Sequence, residues 1–188
     1  WNINRKTRDL KLFELGNVYL KESESGFIEK KYLCIGMTGQ AHSDWAGGSR
    51  RLSFFDLKGI LEALFLELGV ESFYFKEAGD GRFSKAASST IELNGEPLGV
   101  FGEVAGKILA GFDIKDTVYA CEICVDPLLK HASLKKAFKE LPRYPSAARD
   151  LSIIVGKDIK NFEITASIRD AAGSILKGVQ LIDRYIGK

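Results

Sequence analysis

SFFDLKGILEALFLELG, residues 53–69, is the stretch on which the fold turns. Leu57, Ile60, Leu61, Leu64, Phe65 and Leu68 recur at spacings of three and four, so a helix over residues 54–68 gathers them on one broad apolar face. Both ends carry stop signals. Ser53 is a capping residue with an acid, Asp56, three positions on, the pattern of a capping box, and Gly69 supplies a left-handed termination. So wide an apolar face must be covered, and the flanking sequence supplies strands to cover it. Upstream, residues 10–20 (LKLFELGNVYL) and 31–38 (KYLCIGMT) are rich in aromatic and β-branched residues, and the polar turn at 21–26 predicts an antiparallel hairpin between them. Residues 39–51, with Gly47, Gly48, Arg50 and Arg51, read as a loop. Downstream come residues 72–77, then 90–104, where Asn94-Gly95 between two strand-like runs predicts a tight hairpin. A short helix is expected at 107–111, and a further strand at 117–125 (TVYACEICV). Mostly antiparallel strands interrupted by one long and one short helix make an α+β domain.

A chain of 188 residues, 45% hydrophobic and 28% charged, is long enough for one or two globular domains. Its net charge of +2 names no polyanionic partner, so any such site has to come from local clustering. Apolar runs are only a few residues long, against the roughly 20 that a bilayer requires, so no membrane partner is expected. Cys34, Cys121 and Cys124 are an odd number in a chain that needs no disulfide staples, which suits a reducing cytoplasm. The first residue is Trp1 and the sole methionine is Met37, so an excised piece of a longer protein is expected.

Composition shifts after the last of these strands. Between positions 130 and 149 the cations Lys130, Lys135, Lys136, Lys139, Arg143 and Arg149 face one acid, Glu140, and Pro142 and Pro145 interrupt regular structure. We divide the chain into a core domain at 1–129, a basic linker at 130–145 and a second domain at 146–188. In the second domain Leu151, Ile153 and Val155 alternate as in a half-buried strand. Residues 162–172 suit a helix ending at Gly173, and residues 179–185 a second strand. That is one βαβ unit, too small to cover its own edge and apolar face, so the sequence is expected to stop inside this domain.

Other chemical patterns carry bland readings as well. Cys121 and Cys124 form a C-x-x-C, but strand alternation sends them to opposite faces and no second pair completes a zinc site. Residues 102–107 (GEVAGK) are one residue short of a phosphate loop, and Ile108 stands where Ser or Thr is required. His42 with Ser43 and Asp44 could belong to a small enzyme, although sequence neighbours rarely meet catalytic geometry. His131 reads as a solvent-exposed linker residue.

The blocks LFELGNVYL (12–20), FFDLKGILEAL (54–64), IELNGEPLGVFGEV (91–104) and KILAGFDIKDTVYACEI (107–123) resemble, in order, the synthetase-like core domain of the phenylalanyl-tRNA synthetase β-subunit family, bacterial type. FKELPRYPSAARDLSIIV (138–155) and LIDRYIGK (181–188) are similar to the opening half of that family's ferredoxin-fold anticodon-binding domain. Two places depart from the pattern: FSKAASST (83–90) replaces a His-Pro-Gly segment, and Ala148 stands where a second basic residue precedes the Arg149-Asp150 pair. The resemblance implies a class II synthetase-like antiparallel sheet with helices, followed by a truncated ferredoxin-like βαβ unit. It implies an α subunit as partner in an α2β2 heterotetramer, tRNA(Phe) as ligand, and ATP with Mg2+ used by the holoenzyme. No catalytic residue, metal or cofactor is expected on this chain. A class II site clamps ATP phosphates with an arginine just before a glutamate, and the comparable strand reads Phe13-Glu14-Leu15-Gly16. The resemblance also raises the basic stretch from a solvated linker to a candidate phosphate contact, with Lys135, Lys139, Arg143 and Arg149 as the residues that would touch tRNA. A stand-alone class II-like domain that binds an amino acid is the other reading, and it requires a pocket with convergent polar groups.

Overall fold

The computed structural model describes residues 5, 7–21, 26–43, 49–70, 72–135, 138 and 143–185, and divides into two compact units, Trp1–Phe138 and Lys139–Lys188. In the first unit β1 (Leu10–Lys21) and β2 (Phe27–Thr38) form the expected hairpin, twelve residues on each side, paired from Leu10↔Thr38 to Lys21↔Phe27. Then come the short strands β3 (Gln40–Ser43) and β4 (Ser49–Arg51), helix α1 (Phe54–Glu67), β5 (Phe73–Glu77), β6 (Phe83–Leu93), β7 (Glu96–Val104), the short helix α2 (Gly106–Gly111), β8 (Val118–Cys124) and α3 (Val125–His131). Six strands make one antiparallel sheet in the order β1-β2-β8-β7-β6-β5. Asn94 and Gly95, at φ 51° and 84°, make the tight turn joining β6 to β7, with the double positive φ that a two-residue hairpin needs.

The register sorts side chains by face, because residues directly opposite one another share a side of the sheet. Phe13, Ile35, Cys121 and Phe101 lie in one cross-strand row, and Leu15, Leu33, Ile123, Gly99, Ile91 and Phe75 in the next row on that same face. Helix α1 lies over the β7 and β8 part of these rows, while Phe13 and Leu15 at the β1 end stay exposed. Leu57, Leu61 and Phe65 have no solvent exposure, and neither do Ile91, Phe101 and Ile123 beneath them. The Phe54 ring stacks on Phe101 at 4.9 Å, Phe75 meets Phe101 edge-on at 5.2 Å, and Phe65 meets Phe73 at 4.8 Å. Burying each such side chain contributes about 1.5–3 kcal/mol.

The ends of α1 are fixed as its sequence implies. The Ser53 N–H and hydroxyl both donate to the Asp56 carboxylate at 2.7 Å, and Arg50 in the middle of β4 grips the same carboxylate at 2.7 and 2.8 Å. Arg50 first, and Ser53 after it, hold the Asp56 carboxyl well below the usual carboxylate range. At the other end Gly69 turns left-handed at φ 66°, where a Cβ would fall 2.2 Å from the Ser133 carbonyl oxygen. The Ser133 N–H donates to the Leu68 carbonyl at 2.8 Å, tying α1 to the segment leaving α3.

Several expectations are corrected. Residues 39–51 are no plain loop, since β3 and β4 pair as a ribbon. The strand read from position 90 begins at Phe83 and so takes in the whole FSKAASST segment. Val125, read as the end of a strand, and Lys130 and His131, read as the start of the linker, lie in α3, whose Val125 and Leu128 are buried. In the second unit α4 (Asn161–Ala172) stands where a helix was expected, followed by a single tight turn, Gly173–Ile175. The segments around Leu151, Ile153 and Val155 and over residues 179–185 are not strands, and none of their large apolar residues is buried. A strand needs a hydrogen-bonded neighbour, and in a split βαβ arrangement the two strands do not adjoin each other, so alternation alone gives them no ladder.

Helix α1 provides its own control: Leu61→Ala should destabilise the first unit by about 2–5 kcal/mol in urea unfolding, whereas Leu66→Ala, 75% exposed on the same helix, should stay within about 0.5 kcal/mol.

Candidate functional site

The face of the sheet turned away from α1 mixes polar and apolar residues, with Val100 and Ser88 buried in its centre and Glu14 and Cys34 exposed toward its edge. Its central row runs Glu14, Cys34, Glu122, Val100, Thr90 and Lys76, one residue from each of the six strands. Glu14 is the glutamate beside which a phosphate-clamping arginine was sought. Its cross-strand neighbour is a thiol, and the residue beyond is a second carboxylate. The Arg82 guanidinium reaches over this face from the turn before β6, but it is engaged: Nη1 donates to Glu122 at 2.5 Å, and Nε and Nη2 donate to Asp80 at 2.8–3.2 Å. These two carboxylates, Asp80 foremost, raise the Arg82 pKa further above its ordinary value, and Arg82 in turn lowers that of Asp80. At the row's far end Lys76 pairs with Glu92 at 2.5 Å. A shallow hollow of about 350 Å³ beside Arg82 is floored by Leu98 and Val100 and edged by Lys30, Tyr32, Glu122 and Cys124. Burial, and then the neighbouring Cys124 and Glu122, push the Tyr32 phenol up.

Sequence reasoning passed over Arg82, Asp80 and Glu122, since no motif links them. The available signal was strand alternation: with Cys121 and Ile123 pointing to the core, Glu122 has to face the other way.

The predicted tRNA contacts lie on less regular ground. Lys135 is exposed just after α3, Arg143 and Arg149 are exposed in the second unit, and Lys139 lies outside the described residues. Arg149 Nη1 donates to the Ala148 carbonyl at 2.8 Å, leaving its other donors outward. The structure does not gather this set into one measured site, because Lys135 belongs to the first unit and the two arginines to the second. His42 is exposed on β3, and Asp44 lies outside the described residues. His131 sits in the last turn of α3, its Nδ1 3.1 Å from Asn94 Nδ2. Cys121 is buried on the α1 side while Cys124 lies in the row with Tyr32, as alternation requires. Among the described residues no group of three or more His, Cys, Asp or Glu side chains could hold a metal, and no helix is long and apolar enough to cross a membrane.

Comparison with known proteins adds the following. Residues 1–125 match the family model described as the phenylalanyl tRNA synthetase beta chain CLM domain, and residues 142–188 match the ferredoxin-fold anticodon binding domain. The whole chain aligns with proteins named phenylalanine–tRNA ligase beta subunit: it is 34% identical to that of Listeria innocua and 33% identical to those of Clostridium acetobutylicum and Thermotoga maritima. The chain spans about a quarter of the length of these curated relatives, 24%, 23% and 24% respectively. Among solved structures, PylSc of Desulfitobacterium hafniense, a pyrrolysyl tRNA synthetase, superposes on 68% of this chain and 44% of its own with a TM-score of 0.51 at 14% identity, a likeness of fold.

The two faces predict different thiol chemistry. Burial and the carboxylates of Glu122 and Glu14 raise the Cys34 pKa, and near-complete burial raises that of Cys121 much further. At about pH 8, Cys34 should react with a disulfide reagent slowly for an exposed thiol, and Glu122→Gln should speed it several-fold, while Cys121 reacts only on unfolding. Equal rates for the two thiols would contradict the face assignment.

Proposed function

Since this chain belongs to the phenylalanyl-tRNA synthetase beta chain family, we propose that it is a non-catalytic part of a cytoplasmic phenylalanine–tRNA ligase, one that scaffolds the enzyme and helps to place tRNA(Phe). The α subunit of an α2β2 heterotetramer then carries out the ATP- and Mg2+-dependent attachment of phenylalanine. Residues 146–188 act as the opening half of a ferredoxin-fold anticodon-binding domain, with α4 as its first helix.

One observation carries the non-catalytic reading. On the open face of the sheet, the guanidinium nearest the Glu14 row is held between Asp80 and Glu122. An ATP triphosphate laid along that row would meet the carboxylates of Glu14 and Glu122 while the Arg82 guanidinium is already engaged, and the repulsion of like charges opposes the developing transition state instead of stabilising it. Positioning work requires only exposed cations, because phosphate contacts fix register and orientation without chemistry. Arg143 and Arg149 are exposed and able to fork onto phosphate oxygens.

Replacing Arg143 and Arg149 together by alanine in the heterotetramer should weaken tRNA binding and flatten the log-log salt dependence by roughly one to two units, as each lost contact removes about 0.7–0.9. Activation of phenylalanine without tRNA should be unchanged. An unaltered salt slope would return both arginines to the solvated surface.

A further inference from the structure

At the end of the sheet where β1 starts, β2 ends and β8 starts, a cavity of about 300 Å³ lies in the first unit, away from the Glu14 row. Its walls are built. Gly39, at φ 89°, lies so close to the lead-in to β1 that a Cβ would fall 2.3 Å from Asp9 Oδ1 and 2.6 Å from the Arg8 carbonyl oxygen. The Gln40 N–H donates to Asp9 Oδ1 at 2.8 Å, the Leu52 N–H donates to the Gly39 carbonyl at 3.0 Å, and the Thr38 hydroxyl donates to the Thr117 carbonyl at 2.8 Å. Four chain segments are thereby pinned around one hollow.

The charges lining it are balanced and only loosely matched. Arg8 and Asp116 approach to 3.7 Å, an ion pair too long for a hydrogen bond, so both keep donors and acceptors for another partner. Arg51 makes no ion pair with a carboxylate among the described residues. Asp9 uses Oδ1 on the Gln40 amide and keeps Oδ2. Gln40 Oε1 is buried without a hydrogen-bond partner, so turning that amide toward an ammonium in the cavity forfeits no bond at the oxygen. Leu52 and the Tyr119 ring supply an apolar wall. Burial, and then Glu103 and Asp56, keep the Tyr119 phenol protonated to higher pH than usual, so its hydroxyl can donate.

We propose that this cavity binds a small zwitterion of the α-amino-acid type, its carboxylate on Arg51 and Arg8 and its ammonium between Asp9 and Asp116. Two guanidinium groups and two carboxylates around so small a volume leave either a simple anion or a simple cation half matched, and only a molecule carrying both charges meets all four. The site is separate from the tRNA contacts proposed above and does not depend on them.

The test is titration of the isotope-labelled chain with glycine, leucine, glutamate and lysine, followed by backbone amide shifts, with propylamine and propionate as single-charge probes. Saturable shifts at Gln40, Arg51, Leu52 and Thr117 are expected for the amino acids, with Kd of roughly millimolar order and about tenfold weaker binding of either single-charge probe. Arg51→Gln and Asp116→Asn should each weaken amino-acid binding by about tenfold. The Arg51 side chain is exposed, so that variant decides the matter if Asp116→Asn perturbs folding. Absence of saturable binding up to about 20 mM, a range that covers weak millimolar sites, would overturn the proposal. Equal affinity for propylamine, propionate and the amino acids would do the same, and would leave the cavity lined by ordinary solvated surface charges. Replacing Arg143 and Arg149 should leave amino-acid binding untouched, which separates failure here from failure of the tRNA reading.

Discussion

Helix α1 has to cover the stripe of Leu57, Leu61 and Phe65, and only one side of the sheet can accept it. Those side chains are fully buried over Ile91, Phe101 and Ile123, with Phe54 and Phe75 closing on Phe101 as a ring cluster. Strand alternation then assigns every second residue of all six strands to the opposite face, where the Glu14 row lies. The polar character of that row is a consequence of the packing on its reverse. The end fixtures serve the same requirement. Asp56, held by Arg50 and Ser53, anchors the start of α1 to β4, and the Ser133–Leu68 hydrogen bond anchors its end beside α3.

This two-sidedness bears directly on function. An antiparallel sheet with helices on one side and an open face on the other can host chemistry, but a fold hosts many functions and the site decides among them. Here Arg82 closes on Asp80 and Glu122, and the row that holds Glu122 also presents Glu14 and a thiol. The second unit depends far less on burial. Its helix α4 has no buried residue, and Ile164, Ile168 and Ala172 along one side are only partly covered.

Much of this was legible in the residues, for physical reasons that differ by element. The helix at 54–67 declared itself because period, cap and glycine stop agreed, and Asn94-Gly95 because few residues tolerate two positive φ angles in succession. The ribbon β3–β4 was hidden, since short exposed strands leave no periodic signature. Helix α3 was masked by Pro127 and by the charges at its end, although a proline in the first turn of a helix loses no hydrogen bond. The alternation of Leu151, Ile153 and Val155 was read as a half-buried strand and is none, because a ladder depends on a neighbour that local sequence does not describe. The Arg82 clamp and the cavity behind Gly39 unite residues dozens of positions apart, such as Asp80 with Glu122 and Arg8 with Asp116, and only the folded register brings them together.

The central claim, that the open sheet face supports no synthetase chemistry, is tested most directly by phenylalanine-dependent exchange of pyrophosphate into ATP by the purified chain in the presence of magnesium. No exchange above the level of buffer alone is the expected result. Exchange that scales with the amount of this chain and persists after every trace of α subunit has been removed would contradict the account.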